Sequence, residues 1–251
     1  MQEKIKKRLK EHYEFVCSKY DKDQILGVFL YGSQNYDLAT EFSDIDTKAI
    51  YVPSFEEVIW NKPISIELQF ENGEHCEVKD IRDFMKNIYK QNINFIEVLF
   101  TEYFILNPKY VDLWNELLQY KEDYARYDIH KAVHSMSHQA SNTLKQALNS
   151  PTNPSKKASD ALRLIYFLQR YLHGESYFDC IKPVGEARDE ILSIKYSPRP
   201  VESYRQTIQI LQVILNYYKQ SDFTQMNNQD LQLFLEKRAK EIVEKMIHLN
   251  F

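Results

Sequence analysis

The rhythm of apolar positions changes twice along the chain. Ile5, Leu9, Tyr13, Val16 and Tyr20 recur at three- and four-residue intervals, which predicts an amphipathic helix. The period then shortens. Residues 24–31 (QILGVFLY) are apolar and rich in β-formers, predicting a buried strand that Gly32-Ser33 ends. Residues 44–52 (DIDTKAIYV) predict a second strand, and Phe55–Trp60 a short helix. The run ISIELQF, then Asn72-Gly73, then HCEVK, predicts a hairpin with a two-residue type I′ turn. From Asp80 the helical period returns: Ile81, Phe84, Met85, Ile88 and Tyr89 share one face, and Ile96, Leu99 and Phe100 belong to a further helical stretch. After the brief TEYFIL before Pro108, only helices are predicted, at 109–120, 123–148, 156–173, 201–219 and 228–248. Turn-rich breaks fall at 150–155, 173–176 and 196–200. The pattern predicts an α+β fold, with a mixed sheet and flanking helices in residues 1–107 and an all-helical domain in 108–251.

Composition narrows the class of protein. In 251 residues, 32 basic against 36 acidic side chains give a net charge of −4, so the electrostatic footprint of a dedicated duplex-DNA binder is missing. Cys17, Cys76 and Cys180 form no CxxC pair, which argues against disulfide partners and a cysteine-rich zinc site and fits a reducing cytoplasm. The charged start MQEKIKKRLKEHYEF has no apolar signal region, and no run approaches the length of a membrane span, so no membrane partner is expected.

The chemistry concentrates in FLYGSQNYDLATEFSDID, residues 29–46. A buried strand delivers Gly32-Ser33 to what reads as the start of a short helix. Gly32 lets a phosphate approach the backbone, and the Ser33 hydroxyl with the following N–H groups can hold its oxygens at a positive helix end. Asp44 and Asp46 flank Ile45 on the next strand, so alternation puts both carboxylates on one face. Paired carboxylates repel unless a cation lies between them, and hard oxygen donors beside a phosphate site point to Mg²⁺ bridged to a nucleotide. Either motif alone is weak. Their ordered combination is the signal.

That order, strand–GS–helix–DxD–strand, resembles the DNA polymerase β-like nucleotidyltransferase superfamily. The segments 77–101 and 155–174 are similar to stretches of its bacterial and phage branch. The resemblance implies a catalytic domain in 1–107 and a substrate- or acceptor-binding helical domain in 108–251. It also implies two divalent ions, Mg²⁺ or Mn²⁺, on Asp44, Asp46 and a third carboxylate from a later strand. Glu77, near the end of the returning hairpin strand, is the expected third member. Asp80 is its rival but stands where a helix N-cap belongs, and Glu67 is a weaker alternative. GSQNYDL departs from the GSRARG-like run of many relatives, a change that bears on base or acceptor preference.

Lys156 and Arg163 are seven apart on one helix face with Asp160 between them, and spacing alone reads as a surface ion-pair ladder. The resemblance implies instead that they contact the triphosphate, with Lys157 a lesser substitute. His130, His134 and His138 recur every four residues without the glutamate of an HExxH site and read as a polar stripe. Tyr31 reads as core, Tyr36 as a candidate for stacking on a nucleotide base, and Glu97 as solvated or capping. The function expected is transfer of a nucleoside monophosphate from an NTP, ATP foremost, to an acceptor hydroxyl on an RNA 3′ end, a protein side chain or a small molecule, with release of pyrophosphate. The alternative is a catalytically silent nucleotide-binding or antitoxin-like module on the same fold.

Overall fold

The computed structural model describes residues 2–39, 43–149, 153–196 and 205–250, without the side chains of 206 and 207. Helix α1 (Gln2–Lys19) leads into strand β1 (Ile25–Tyr31), which pairs antiparallel with β2 (Asp46–Tyr51). After the short α2 (Phe55–Ile59), β3 (Ser65–Gln69) and β4 (His75–Asp80) form the hairpin. Strand β5 (Phe104–Leu106) closes the other edge against β1. The order is β3-β4-β2-β1-β5, with β2 and β4 parallel and every other pair antiparallel.

The hairpin turn differs from the expected type I′. Neither Glu71 nor Asn72 has a positive φ; only Gly73 does, at 85°. Gly73 N–H donates to Phe70 C=O over 3.0 Å and Phe70 N–H to Glu74 C=O over 2.9 Å, so the loop carries one more residue and a left-handed glycine at its exit. That extra residue sets which face of β4 each side chain meets: Glu74, Cys76 and Val78 turn into the protein, while His75, Glu77 and Lys79 take the other side.

α1 covers one face of the sheet through Leu9 and Val16, against Val28, Ala49, Tyr51, Cys76 and Val78. The other face is covered by α3 (Ile81–Tyr89), α4 (Ile93–Ile96) and α5 (Val111–Leu118), where Phe29, Phe84, Phe95 and Trp114 form a chain of ring contacts. Asp80 caps α3, accepting from Arg82 N–H at 2.8 Å and from the forked Arg82 guanidinium.

The remaining helices are α6 (Lys121–Ala125), α7 (Ile129–Asn149), α8 (Pro154–Leu172), α9 (Tyr177–Ile181), α10 (Gly185–Lys195), α11 (Arg205–Gln220) and α12 (Gln229–His248). By packing, the chain divides into Met1–Tyr127 with Asn228–Phe251, and Asp128–Asn227. This packing division differs from the 107/108 boundary expected from sequence. After β5, α5 packs on the sheet through Trp114, and α12 returns to α6 and α5: Tyr124 donates to Leu235 C=O at 3.1 Å, and Arg238 pairs with Glu116 at 2.5 Å. The second unit is a helical bundle cored by Leu144, Leu162, Phe167, Tyr171, Ile191 and Leu215.

Candidate nucleotidyltransferase site

Register builds the site. Tyr31 pairs with Asp46 across β1 and β2, and Lys48 pairs with Glu77 across β2 and β4. One step back along the same parallel pair sets Asp46 beside His75. Tyr31, Asp46, Lys48, His75 and Glu77 therefore share one face. Gly32 has φ +82°, and a Cβ there would stand 3.3 Å from Asp46 Oδ2. The GS corner is thus laid against the second aspartate, with the exposed Asp44 two residues before it.

Beyond the corner the chain makes a turn rather than the expected helix. Asn35 N–H donates to Gly32 C=O at 2.9 Å and Leu38 N–H to Ser33 C=O at 3.2 Å, while Asp37 takes φ 57°. Residues 40–42 lie outside the described chain. An anion at this corner would meet loop amides and not a helix dipole. Gln34 and Asn35 are buried in this turn, and among the described residues Gln34 Oε1 and Asn35 Nδ2 have no hydrogen-bond partner.

Glu77 lies on the site face, but lysines hold its carboxylate. Oε2 pairs with Lys48, and Oε1 is 2.9 Å from Lys79 Nζ. Burial pushes the Glu77 carboxyl up, yet the two lysines outweigh it and leave it below the ordinary carboxylate value. Lys48 is 1% exposed, with its ammonium 4.4 Å from the ring centres of both Tyr31 and Phe95. Asp46 Oδ1 lies 3.1 Å from His75 Nδ1, and His75 Nε2 lies 3.0 Å from the Tyr31 hydroxyl.

Asp80 stands opposite Tyr51, five positions along β2 from Asp46, about 16 Å at 3.3 Å per residue. It belongs to the cap of α3. Glu67 is exposed on β3, across from Glu77. Tyr36, expected at the nucleotide base, is 7% exposed as placed, and its hydroxyl donates to Glu97. Glu97 departs from its solvated or capping reading: it is buried, because the 3₁₀ turn after α4 directs it inward to that hydroxyl.

On the opposite face of the sheet, His12 is fully buried between Thr47 Oγ1 at 2.7 Å and Glu74 Oε2 at 3.1 Å, stacked 3.9 Å from the Phe70 ring. Burial lowers the His12 pKa against the pull of Glu74, so the neutral ring donates Nε2–H to Glu74 and accepts the Thr47 hydroxyl. Arg8 completes the set on Glu74 at 2.6 Å. Thr47 and Glu74 are the immediate neighbours of Asp46 and His75, so this network braces the strand ends that carry them.

In the helical unit, α8 carries Lys156 exposed and Arg163 buried. Burial raises the pKa of Asp160 between them, against the opposing charges of Arg163, Lys156 and Lys195. His130 accepts from Phe223 N–H at 3.3 Å and lies 4.4 Å from the His134 ring, while His138 contacts Asn142 at 2.9 Å. Among the described residues no three His, Cys, Asp or Glu side chains are already grouped to hold a metal.

Comparison with known proteins decides the family. Residues 9–133 match the model of the nucleotidyltransferase domain. This part of the chain belongs to the nucleotidyltransferase domain family. The match runs from α1 into the start of α7 and so contains the sheet, the GS corner and both aspartates. A crystal structure of a nucleotidyltransferase-like protein from Exiguobacterium sibiricum is similar over 82% of this chain and 73% of that one, at 12% identity and a TM-score of 0.31. A likeness that low carries no argument of its own. No curated protein matches the chain.

Lys48, His75, Gln34 and Asn35 were not singled out from sequence. Lys48 was within reach: it follows Asp46 by two in a strand, so alternation puts it on the carboxylate face. His75 was not, because its place depends on a parallel pairing between strands whose connection no local pattern reveals.

Proposed function

We propose that the nucleotidyltransferase domain transfers a nucleoside monophosphate from an NTP, ATP foremost, to an acceptor hydroxyl and releases pyrophosphate. The observation that carries this reading is the close approach of Asp46 to Gly32, where an added Cβ would stand 3.3 Å from Oδ2, so that a carboxylate lies beside the corner that would take the phosphate. The buried amide atoms of Gln34 and Asn35 support it, since a ligand in the turn would give them partners.

The donor chemistry fits a hard divalent cation. Asp44 is exposed and the Asp46 side chain is 26% exposed at the strand mouth, and both offer oxygen donors. Asp44 and Asp46 would hold the ion. Glu77 would join a second one, which requires Lys48 and Lys79 to release it. When bound, such ions neutralise the triphosphate and polarise the phosphoryl group.

The chain's own residues do the rest. N–H groups after Gly32, with the Ser33 hydroxyl, orient the phosphates. The acceptor oxygen attacks the α-phosphorus as the bond to the pyrophosphate oxygen breaks, and the hydroxyl proton passes to a Glu77 carboxylate oxygen. The helical residues 108–251 select the acceptor.

One observation favours a second reading. A carboxylate already engaged by two lysines makes a poor proton acceptor, which suits a module that binds nucleotide without turnover. A pyrophosphate-release assay separates the two. With each NTP and an RNA 3′ end, a protein hydroxyl or a small polyol as acceptor, turnover that Asp46→Asn abolishes supports the enzyme. Retained nucleotide binding with no release for any pair supports the silent module.

A further inference from the structure

The position that faces Asp46 across the parallel pair of β2 and β4 holds a histidine, not a carboxylate. Glu77 lies two residues deeper, and its oxygens are engaged by Lys48 and by Lys79 at 2.9 Å. Lys48 is also fixed between two aromatic rings, so freeing Glu77 means moving a buried cation. Among the described residues His75 is held by no lysine; its ring nitrogens meet Asp46 and the Tyr31 hydroxyl. Its side chain is 31% exposed, and its Nδ1 is 3.1 Å from Asp46 Oδ1.

We infer that His75 is a metal ligand of this site, joining Asp46 and Asp44, and that the ion it selects is of the Mn²⁺ class in preference to Mg²⁺. The inference rests on the reading of the paired aspartates as a cation site. Two neighbouring ligands of an octahedral ion with bonds of about 2.1–2.2 Å stand about 3 Å apart, the spacing that Asp46 Oδ1 and His75 Nδ1 already have. The far nitrogen is prepared as well. His75 Nε2 is 3.0 Å from the Tyr31 hydroxyl, an oxygen that can accept Nε2–H and so leave Nδ1 unprotonated for the ion. An imidazole donor adds affinity for Mn²⁺ and the later transition metals, while Mg²⁺ prefers an all-oxygen shell.

The test is pulsed electron paramagnetic resonance of the full chain loaded with Mn²⁺ and inorganic pyrophosphate, a phosphate ligand without nitrogen. Wild type is expected to show the ¹⁴N modulation of a directly bound imidazole, converted to the ¹⁵N pattern in protein grown on ¹⁵N-histidine. That labelled sample needs no substitution to fold. His75→Ala and His75→Gln are expected to lose the modulation and to bind Mn²⁺ about tenfold more weakly, with Mg²⁺ affinity within about twofold of wild type. If Mn²⁺ binds, Asp46→Asn abolishes binding and no nitrogen coupling appears, the aspartate site stands and the role of His75 is overturned. Coupling that persists in both His75 variants overturns it too, placing the ion on another histidine. If Mn²⁺ does not bind at all, the cation-site reading itself fails.

Discussion

At the scale of single residues, the site is a set of charges that constrain one another. Lys48 is buried, and Glu77 is its carboxylate partner. Glu77→Gln therefore leaves a buried ammonium facing two rings and a neutral amide oxygen in place of its counter-charge, and is expected to cost about 2–4 kcal/mol in a urea titration. The double variant Lys48→Met/Glu77→Gln should recover most of that loss, since removing both members of a buried pair is often near neutral. Additive losses would contradict the pairing. Any drop in activity of a Glu77 variant has to be read beside this stability effect. Gly32 imposes a separate constraint. At φ +82°, alanine is expected to cost about 1–2 kcal/mol and to crowd Asp46 Oδ2, so Gly32→Ala should lose nucleotide binding as well as stability. Unchanged binding would detach the GS corner from the site. The DxD pair and the GS dipeptide were legible in sequence because they are local. The state of Glu77 was not, because what holds it comes from a neighbouring strand.

At the scale of elements, the hairpin and α1 decide where the site residues stand. The left-handed Gly73 turns Glu74 toward α1, where His12 and Arg8 meet it, and His12 in turn meets Thr47 of β2. This network has a pH signature. Burial lowers the His12 pKa from its ordinary 6.5, so the unfolded chain takes up a proton that the folded chain refuses. Its contribution is whole above that value and falls as the pH drops through it. Glu74, buried but held below its ordinary 4.5 by Asn72, Arg8 and His12, loses its contribution only further down. Urea midpoints measured from pH 7.5 to 5.5 should decline in wild type, and His12→Gln should flatten that slope. An unchanged slope would remove His12 from the account. Thr47→Val, which leaves His12 Nδ1 unpartnered, is expected to cost about 1–3 kcal/mol. Period and turn residues predicted every strand, yet the type I′ turn and the helix after Ser33 were misread, and no helix was placed in 177–195, where α9 and α10 lie. Asn-Gly serves more than one hairpin loop. A turn of four or five residues mimics a helix start. The short α9 (Tyr177–Ile181) begins directly after the 173–176 break, and α10 begins at Gly185, a residue of poor helix propensity.

At the scale of the whole molecule, the chain leaves the sheet-bearing unit at Tyr127 and re-enters it at Asn228. The two ends of the helical unit are tied together, with Ile129 N–H donating to Asn227 Oδ1 at 2.8 Å and Asn227 Nδ2 to Asp128 Oδ1 at 3.0 Å. Replacing 128–227 with a short Gly/Ser linker is expected to leave a cooperatively folding unit, whereas ending the chain at 227 should not, because α12 covers Tyr124 and supplies the partners of Glu116 and Tyr127. A folded 1–227 fragment would contradict this. A long-range return of this kind leaves no trace in local periodicity, so the sequence reading drew its boundary where the strands stop.

The central claim is that the mouth formed by Gly32, Ser33, Asp44 and Asp46 binds a nucleotide through a divalent ion. Calorimetry tests it most directly, titrating each of the four NTPs with Mg²⁺, with Mn²⁺ and with chelator into wild type and Asp44→Ala/Asp46→Ala. Binding of at least one NTP that needs metal, and that the double variant weakens by about a hundredfold or more, roughly 2.7 kcal/mol, is the expected result. Equal binding by the double variant, or no binding of any NTP, would contradict it.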